Sequence, residues 1–151
     1  MHRLYENGDI SVFWDSDKCR HAKECVNGCP EAFNIMRKPW IDISKAPTAK
    51  VWQAVSRCPS GALTCIYNHE VTIEYDKENS RSIAFYSDKI IGECDYEENE
   101  NGWVIYHTEV DEKYTGKGIA KRLVYKLIQE AERSNNAIDA TCSYAAKILG
   151  E

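Results

Sequence analysis

The cysteines constrain the fold of this chain of 151 residues more than any other feature of its sequence. Five of the seven lie within the first 65 residues: Cys19, Cys25, Cys29, Cys58 and Cys65. No apolar run approaches the roughly 20 residues that span a bilayer, and the first residues lack the apolar core of a signal peptide. We therefore expect a cytoplasmic protein with no membrane partner, in which clustered thiols bind metal rather than form disulfides.

The spacing of these cysteines predicts an iron-sulfur cluster. From Cys19 to Pro30 the chain follows the bacterial run C-x2-C-x2-C-x3-C-P, with Ala22 at the second ligand position. Cys58-Pro59 supplies the distant ligand that such a cluster needs. Zinc is the competing metal, but only Cys25 and Cys29 have the close pairing that structural zinc sites use. Cys19, Cys25 and Cys58 are the predicted ligands of a 3Fe-4S or 4Fe-4S cluster.

The fourth ligand stays open at this stage. Cys29 is the nearest thiol, although the cysteine at that place in two-cluster ferredoxins serves the other cluster. His21 lies between Cys19 and Cys25, where an imidazole can bind iron or donate a hydrogen bond to a sulfur. A 3Fe-4S cluster needs no fourth ligand. Cys29 and His21 are therefore metal-ligand candidates.

Five segments of the first half share a likeness to a known family: Cys19-Arg20-His21-Ala22, Cys25-Val26-Asn27-Gly28, Pro30-Glu31-Ala32-Phe33, Lys38-Pro39-Trp40-Ile41 and Cys58-Pro59-Ser60-Gly61-Ala62-Leu63. They resemble the divergent mono-cluster iron-sulfur domain of YjdI-like proteins, which is of ferredoxin type. The periodicity agrees with a small domain over residues 1–68, because Ile10 to Trp14 alternate as a strand, Thr48 to Arg57 reads as a helix, and Ala62 to Tyr67 reads as a second strand. The cluster would substitute for the core that so small a unit lacks.

Residues 70–151 predict a second domain with a different pattern. Alternating apolar residues indicate successive strands, with a polar turn from Asp95 to Asn101 before the strand Gly102 to Val110. Apolar residues from Ile119 to Ala131 recur at helical spacing and place Arg122 on the polar face. Ala137 to Thr141 reads as one more strand. Antiparallel strands, a helix and a final strand make a compact sheet, so we predict the α+β class for the whole chain.

A glycine loop, Lys113-Tyr114-Thr115-Gly116-Lys117-Gly118, joins this strand to this helix. At a helix N-terminus, free backbone N–H groups and the helix dipole favour an anion such as a phosphate. The loop is not a P-loop, because Ile119 and Ala120 follow Gly118. It is not the dinucleotide fingerprint either, because Lys121 stands where the third glycine belongs. A pyrophosphate loop remains, with an ordinary glycine-containing connection as the alternative.

Four segments of this half resemble the small YjdJ-type members of the GNAT N-acetyltransferases, which bind acetyl-coenzyme A: Ile91-Gly92-Glu93, Ile105-Tyr106-His107-Thr108-Glu109-Val110, Gly116-Lys117-Gly118-Ile119-Ala120 and Ala140-Thr141-Cys142-Ser143-Tyr144. The resemblance implies that the strand ending at Val110 contacts the acetyl and pantetheine portion. It implies a pyrophosphate site made of these residues: Lys113, Tyr114, Thr115, Gly116, Lys117, Gly118, Ile119 and Ala120. It also implies attack of an amine on the thioester, helped by a base and an acid.

Three side chains are candidates for the chemistry. Cys142 follows the last predicted strand, where a thiol of lowered pKa can act as a nucleophile or become acetylated; a buried, inert cysteine is the alternative. Tyr144 can protonate the leaving sulfur, with aromatic packing as its alternative role. His107 titrates in the useful range, with a satisfied core histidine as its alternative.

The charge is distributed along the chain as unevenly as the cysteines are. Residues 1–69 carry 9 basic and 7 acidic residues, and residues 70–151 carry 10 and 17, so the halves have net charges of +2 and −7. The total of −5 argues against nucleic-acid binding.

We expect an acetyl-coenzyme-A-dependent N-acetyltransferase-like protein fused to an iron-sulfur domain, with an unidentified amine acceptor. The alternative is a non-catalytic sensor of redox state and acetyl-coenzyme A, or an electron-transfer adaptor for a redox partner protein.

Overall fold

The computed structural model of the chain describes residues 2–150. They form two compact units, one ending at Asn68 and the other beginning at His69. Each unit contains a β-sheet and helices, so the predicted α+β class is confirmed.

The first unit is built on a three-stranded antiparallel sheet in the order β1-β2-β3. Its strands are β1 (His2–Glu6), β2 (Ile10–Asp15) and β3 (Leu63–Tyr67). The sequence predicted β2 and β3 but not β1, which pairs with β2 along its whole length from His2↔Asp15 to Glu6↔Ser11. Only Leu4 gives β1 an aliphatic side chain, so the pairing with β2 rather than an apolar pattern defines this strand.

Two helices close the first unit: α1 (Glu24–Gly28) and α2 (Thr48–Ser56). Val51, Ala54 and Val55 form the buried side of α2, as the apolar spacing predicts. The two helices approach closely at Gly28, where an added Cβ would lie 3.3 Å from the Cβ of Ala54. This approach brings α1, which carries Cys25, to α2, which ends just before Cys58.

The second unit is a five-stranded sheet in the order β4-β5-β6-β7-β8. Its strands are β4 (Val71–Asp76), β5 (Arg81–Tyr86), β6 (Lys89–Asn99), β7 (Gly102–Val110) and β8 (Ile138–Ala140). All neighbours are antiparallel except β7 and β8, which run parallel. The polar turn predicted from Asp95 to Asn101 starts too early: β6 continues to Asn99 with its acidic residues in a paired strand, and the chain turns at Glu100 and Asn101.

Two helices follow β7 in the chain: α3 (Ile119–Arg133) before β8, and α4 (Ser143–Gly150) after it. The helix α3 packs on the sheet, and the hydroxyl of Ser82 on β5 donates to the carbonyl of Leu123 at 2.8 Å. Arg122, predicted on the polar face, is only 2% exposed. Its guanidinium donates to the carbonyl of Val71 at 2.8 Å, which ties α3 to β4 at the edge of the sheet.

Gly102 starts β7 at a point where no side chain fits. Its φ is +128°, and an added Cβ would lie 2.3 Å from the backbone oxygen of Ala137, just before β8. We predict that Gly102→Ala lowers the free energy of unfolding by roughly 2–4 kcal/mol, because it combines a strained backbone with a clash against main chain. Urea denaturation followed by circular dichroism measures this loss.

Gly150→Ala is the matched control, since nothing lies within 4 Å of the Cβ it would add. A Gly102→Ala protein as stable as this control would contradict the close approach of the two strands.

Candidate functional sites

Three cysteines of the first unit converge on one small cleft. Cys19 lies in the loop before α1, Cys25 on α1, and Cys58 immediately after α2, and all three line the cleft. The remaining lining residues are Trp14, Arg20, Ala22, Lys23, Glu24, Pro59, Ser60 and Leu63. The structure thus brings together the three thiols that the sequence predicted as cluster ligands.

Backbone amides surround the sulfur atoms of this cleft. The N–H of His21 donates to the Sγ of Cys19 at 3.4 Å, in a loop where His21 and Lys23 both have positive φ. Partial burial alone would raise the pKa of Cys58, but hydrogen bonds from the amide of Leu63 and from the hydroxyl and amide of Ser60 hold it below its ordinary value. Hydrogen bonds of this kind to sulfur stabilise thiolates and tune the potential of a bound cluster.

The other two ligand candidates lie elsewhere. Cys29 is fully buried in the apolar core of the unit, and its thiol points to the carboxylate of Glu31 at 3.6 Å. The side chain of His21 is exposed and does not line the cleft. Ala22 lines it instead, at the position where the bacterial run has its second cysteine. Glu24 and Ser60, which the spacing rule for cysteines does not detect, add oxygen atoms to the cleft.

The separation of the thiols bears on the choice between the two candidate metals. Among residues 2–150, no three thiols have sulfur atoms that all lie within 4.8 Å of one another. A tetrahedral zinc ion would hold thiolates about 3.8 Å apart, given its bond length to sulfur. In an iron-sulfur cluster each thiolate binds a different iron atom, so a wider set of thiols suits the cluster better than zinc.

In the second unit, strands β7 and β8 pair over three residues only and then separate. The last pair is Ile105↔Ala140, and the amides of Thr141 and Cys142 both donate to the carbonyl of Ile105, at 2.9 and 3.2 Å. The register shift opposite Asp95 leaves Tyr106 as an extra residue, a β-bulge at the point of separation. Bulges of this kind occur next to active sites, where they re-aim backbone groups. The backbone pairing of β7 with β8 therefore ends at Ile105, and beyond it the two segments remain in contact through Thr108 and Cys142.

The glycine loop lies between the far end of β7 and α3. Gly116 and Gly118 have φ of +77° and +75°, and Gly118 is the residue before the first turn of α3, with no side chain to cap the helix. The space beside Gly116 is open. The carboxylate of Asp111 accepts a hydrogen bond from the amide of Lys113 at 3.0 Å, and the hydroxyl of Thr115 donates to the carbonyl of Glu112 at 3.0 Å. These bonds fix the shape of the loop.

The predicted loop residues divide into two groups. Lys113, Tyr114 and Lys117 line a pocket together with His69, Glu70 and Tyr86. Gly118, Ile119 and Ala120 form the start of α3, whose first amides point out of the helix end. The loop therefore offers a helix N-terminus and two ammonium groups, the combination that favours a pyrophosphate.

Cys142 lies at the N-terminus of α4. Partial burial alone would raise its pKa, but hydrogen bonds from the amides of Ala145 and Tyr144 and from Thr108 hold the pKa below its ordinary value. Cys142 is half-buried rather than fully buried. Tyr144, two residues further on, is 41% exposed rather than packed in the core.

His107 is exposed on β7, so the alternative of a core histidine is wrong. Its Nε2 lies 3.3 Å from the carboxylate of Glu109. Glu93 and Asp95 lie directly opposite these two residues on β6. Because neighbouring strand residues point to opposite faces, His107 lies on the other side of β7 from Thr108, the neighbour of Cys142. The structure does not bring His107 and Cys142 together.

The comparisons with known proteins agree with the geometry of the first unit. Residues 5–68 match the model of the divergent 4Fe-4S mono-cluster family. Over 69 residues the chain is 38% identical to the uncharacterized protein YjdI of Escherichia coli (strain K12), an alignment that covers 46% of this chain and 88% of YjdI. The chain belongs to the YjdI family through this unit. YjdI of Escherichia coli O157:H7 matches with the same identity and coverage.

The second unit of this YjdI-family chain matches another model. Residues 81–151 match the GCN5-related N-acetyl-transferase family, so both predicted resemblances are confirmed. Among solved structures, an aminoglycoside acetyltransferase from an uncultured soil metagenomic sample, in complex with sisomicin, is 20% identical with a TM-score of 0.38 and covers 46% of this chain. A GCN5-related N-acetyltransferase from Sphaerobacter thermophilus is 16% identical with a TM-score of 0.38 and covers 90% of this chain. The chain spans 53% and 42% of their lengths.

The length and polarity of the helices decide whether any of them could cross a membrane. Within residues 2–150, no helix combines the length and apolar character that crossing a bilayer requires.

The carboxyl of Asp95 predicts a pH-dependent stability. Partial burial and the neighbouring carboxylate of Glu93 raise its pKa from 3.8 to about 6, against the opposing effect of His107 and Arg81. The folded protein therefore binds more protons than the unfolded chain between about pH 4 and 6, and this group lowers stability as pH rises through that window. We predict that Asp95→Asn stabilises the protein at pH 7 and that the gain disappears near pH 4.

Urea midpoints of both proteins across this range measure the effect. Glu100→Gln, on the exposed turn after β6, is the control for removing a carboxylate. A gain in stability from Asp95→Asn that is the same at pH 7 and pH 4 would show that folding does not raise the pKa of Asp95.

Proposed function

We propose that this protein is an acetyl-coenzyme-A-dependent N-acetyltransferase that carries an iron-sulfur cluster in its first unit. The observation that supports the acetyltransferase assignment most is the end of the pairing between β7 and β8. Cys142 lies at this point, and β7 runs from it to the glycine loop before α3. A molecule with a pyrophosphate at one end and a thioester at the other suits this arrangement.

The glycine loop would hold the pyrophosphate. The amides of Gly118, Ile119 and Ala120 face the helix end, and the ammonium groups of Lys113 and Lys117 add charge beside it. The open space at Gly116 allows phosphate oxygens to approach the main chain. The last part of β7 up to Val110 would then lie along the pantetheine arm, since its edge beyond Ile105 no longer pairs with β8.

The reaction would be transfer of the acetyl group to an amine. In the direct route, the neutral amine attacks the thioester carbonyl, the carbon-sulfur bond breaks, and the departing thiolate takes a proton. Tyr144 is our candidate for that proton. His107, which lies 3.3 Å from Glu109, is on the other face of β7 from Cys142, so we do not assign it as the base that deprotonates the amine. In the covalent route, the Cys142 thiolate attacks first, coenzyme A leaves, and the amine then takes the acetyl group from Cys142.

The residues of the first unit fit an iron-sulfur cluster. Cys19, Cys25 and Cys58 would hold it, because all three thiols line one cleft and amides already donate to two of the sulfurs. When bound, the cluster would supply one-electron redox chemistry. Three thiolates suffice for a 3Fe-4S cluster, and Glu24 and Ser60, which also line the cleft, would be the candidates for a fourth ligand of a 4Fe-4S cluster.

One observation favours a non-catalytic sensor as a second candidate function. In the described part of the second unit, both α-helices follow β7, and no helix precedes the sheet to shape an acceptor site. A protein that binds acetyl-coenzyme A and a cluster, but no acceptor, would act as a sensor of acetyl-coenzyme A and of redox state.

Binding of acetyl-coenzyme A tests the first assignment. We predict that isothermal titration calorimetry shows one site per chain, and that Lys113→Ala with Lys117→Ala weakens binding by about tenfold, because two charge-assisted contacts to phosphate oxygens are lost. Lys89→Ala, an exposed lysine at the start of β6, is the matched control. An absence of binding at high micromolar ligand would refute the proposal.

The metal content tests the second assignment. Protein purified without oxygen should contain iron and acid-labile sulfide, and Cys58→Ala should lose both because a cluster ligand is removed. Cys65→Ala, a half-buried thiol on β3 outside the cleft, should keep them. A colourless protein loaded with zinc, or equal loss in both variants, would contradict the assignment of the cleft.

A further inference from the structure

Four polar side chains form a square on one face of the sheet in the second unit. Glu93 is directly opposite Glu109 in the pairing of β6 with β7, and Asp95 is directly opposite His107. Residues two apart along a strand point to the same side of the sheet. All four side chains therefore share one face, and the proposed site of acetyl transfer beside Thr108 lies on the other face.

Three of these side chains bring metal-binding atoms close together. One ring nitrogen of His107 and one carboxylate oxygen each of Glu93 and Asp95 all lie within 4.8 Å of one another. Ligand atoms that share one metal ion, at bond lengths of about 2.1 Å, are separated by up to about 4.2 Å. Small rotations of these side chains, which are not fully buried, would therefore place all three atoms on one ion.

Glu109 orients the imidazole of this group. Its carboxylate lies 3.3 Å from Nε2 of His107. A histidine that binds a metal usually donates its other ring N–H to a carboxylate, a carbonyl or a water, which fixes the ring and the tautomer. When Nε2 donates to Glu109, Nδ1 of His107 is the nitrogen that remains for a metal ion.

The charge of the group also suits a divalent ion. Like charges directly opposite each other in a sheet are destabilising, and Glu93 faces Glu109 in this way. The guanidinium of Arg81 lies 3.1 Å from Glu93, but it is shared with Asp76, which it also contacts at 3.1 Å. One shared guanidinium offsets at most one of the three carboxylates of the square. A divalent ion would neutralise the other two.

We propose that Glu93, Asp95 and His107 bind a divalent first-row transition-metal ion, with Glu109 as the carboxylate that positions the imidazole. Carboxylate oxygens suit Mn²⁺, and an imidazole suits Fe²⁺ and Zn²⁺ as well. The exposed side of the square leaves room for water at the remaining coordination positions. This inference depends neither on the proposed acetyl transfer nor on the iron-sulfur cluster, because it uses side chains of one sheet face alone.

The test is a titration of the anaerobically purified full chain with MnCl₂, without acetyl-coenzyme A. Mn²⁺ is the probe because it prefers oxygen and nitrogen ligands, whereas thiolates select softer metals. The electron paramagnetic resonance signal of free Mn²⁺ weakens as the ion binds, so it measures affinity directly. We expect one site per chain and at least about tenfold weaker binding in Asp95→Asn and in His107→Ala, since even partners outside the ligand set contribute about 10–100-fold to metal affinity.

His107→Ala separates a metal site from a general attraction of cations to acidic strands. This variant removes no negative charge, so attraction by charge alone would leave its affinity for Mn²⁺ unchanged, and that result would overturn the inference. Glu100→Gln removes a carboxylate on the exposed turn after β6 and should bind Mn²⁺ as tightly as the unchanged protein. Absence of Mn²⁺ binding to the unchanged protein, or equal weakening by Glu100→Gln and Asp95→Asn, would also overturn it. Circular dichroism confirms that each variant is folded.

Discussion

The short parallel pairing between β7 and β8 is the constraint on which the second unit depends. Parallel strands require a crossover, and α3 supplies it, so its N-terminus lies just after the end of β7. The pairing stops after Ile105 because two successive amides, those of Thr141 and Cys142, both use its carbonyl and the chain turns into α4. The same feature thus ends the pairing of β7 with β8, places Cys142 at that point and positions the glycine loop beyond it.

The first unit likewise depends on contacts between short segments of the chain. Its three thiols come from a loop, a helix of five residues and the turn after α2, and none of these elements is stable alone. The close contact of Gly28 with Ala54 holds two of them together without a metal. A cluster bound at the cleft would cross-link all three segments and add to the stability of the unit, as ligands of the folded state do.

The sequence predicts the positions of residues where the signal is local and less well where they depend on tertiary structure. The cysteine spacing predicts three thiols that line one cleft, and the glycine pattern predicts the loop between β7 and α3. Arg122 is buried although its helical position is polar, because Val71 at the start of β4 supplies a carbonyl that no periodicity reveals. The acidic residues after Asp95 suggest a turn, but pairing with β7 extends the strand. Cys29 matches the cluster motif in sequence, yet the backbone carries its thiol into the apolar core.

The two units therefore suggest a protein in which acyl transfer chemistry and a redox centre share one chain. A crystal structure of the protein, grown without oxygen in the presence of coenzyme A, tests this account most directly. It predicts the pyrophosphate on the amides at the start of α3 and the sulfur of coenzyme A beside Cys142. A structure in which coenzyme A is absent, or lies away from Cys142, would contradict it.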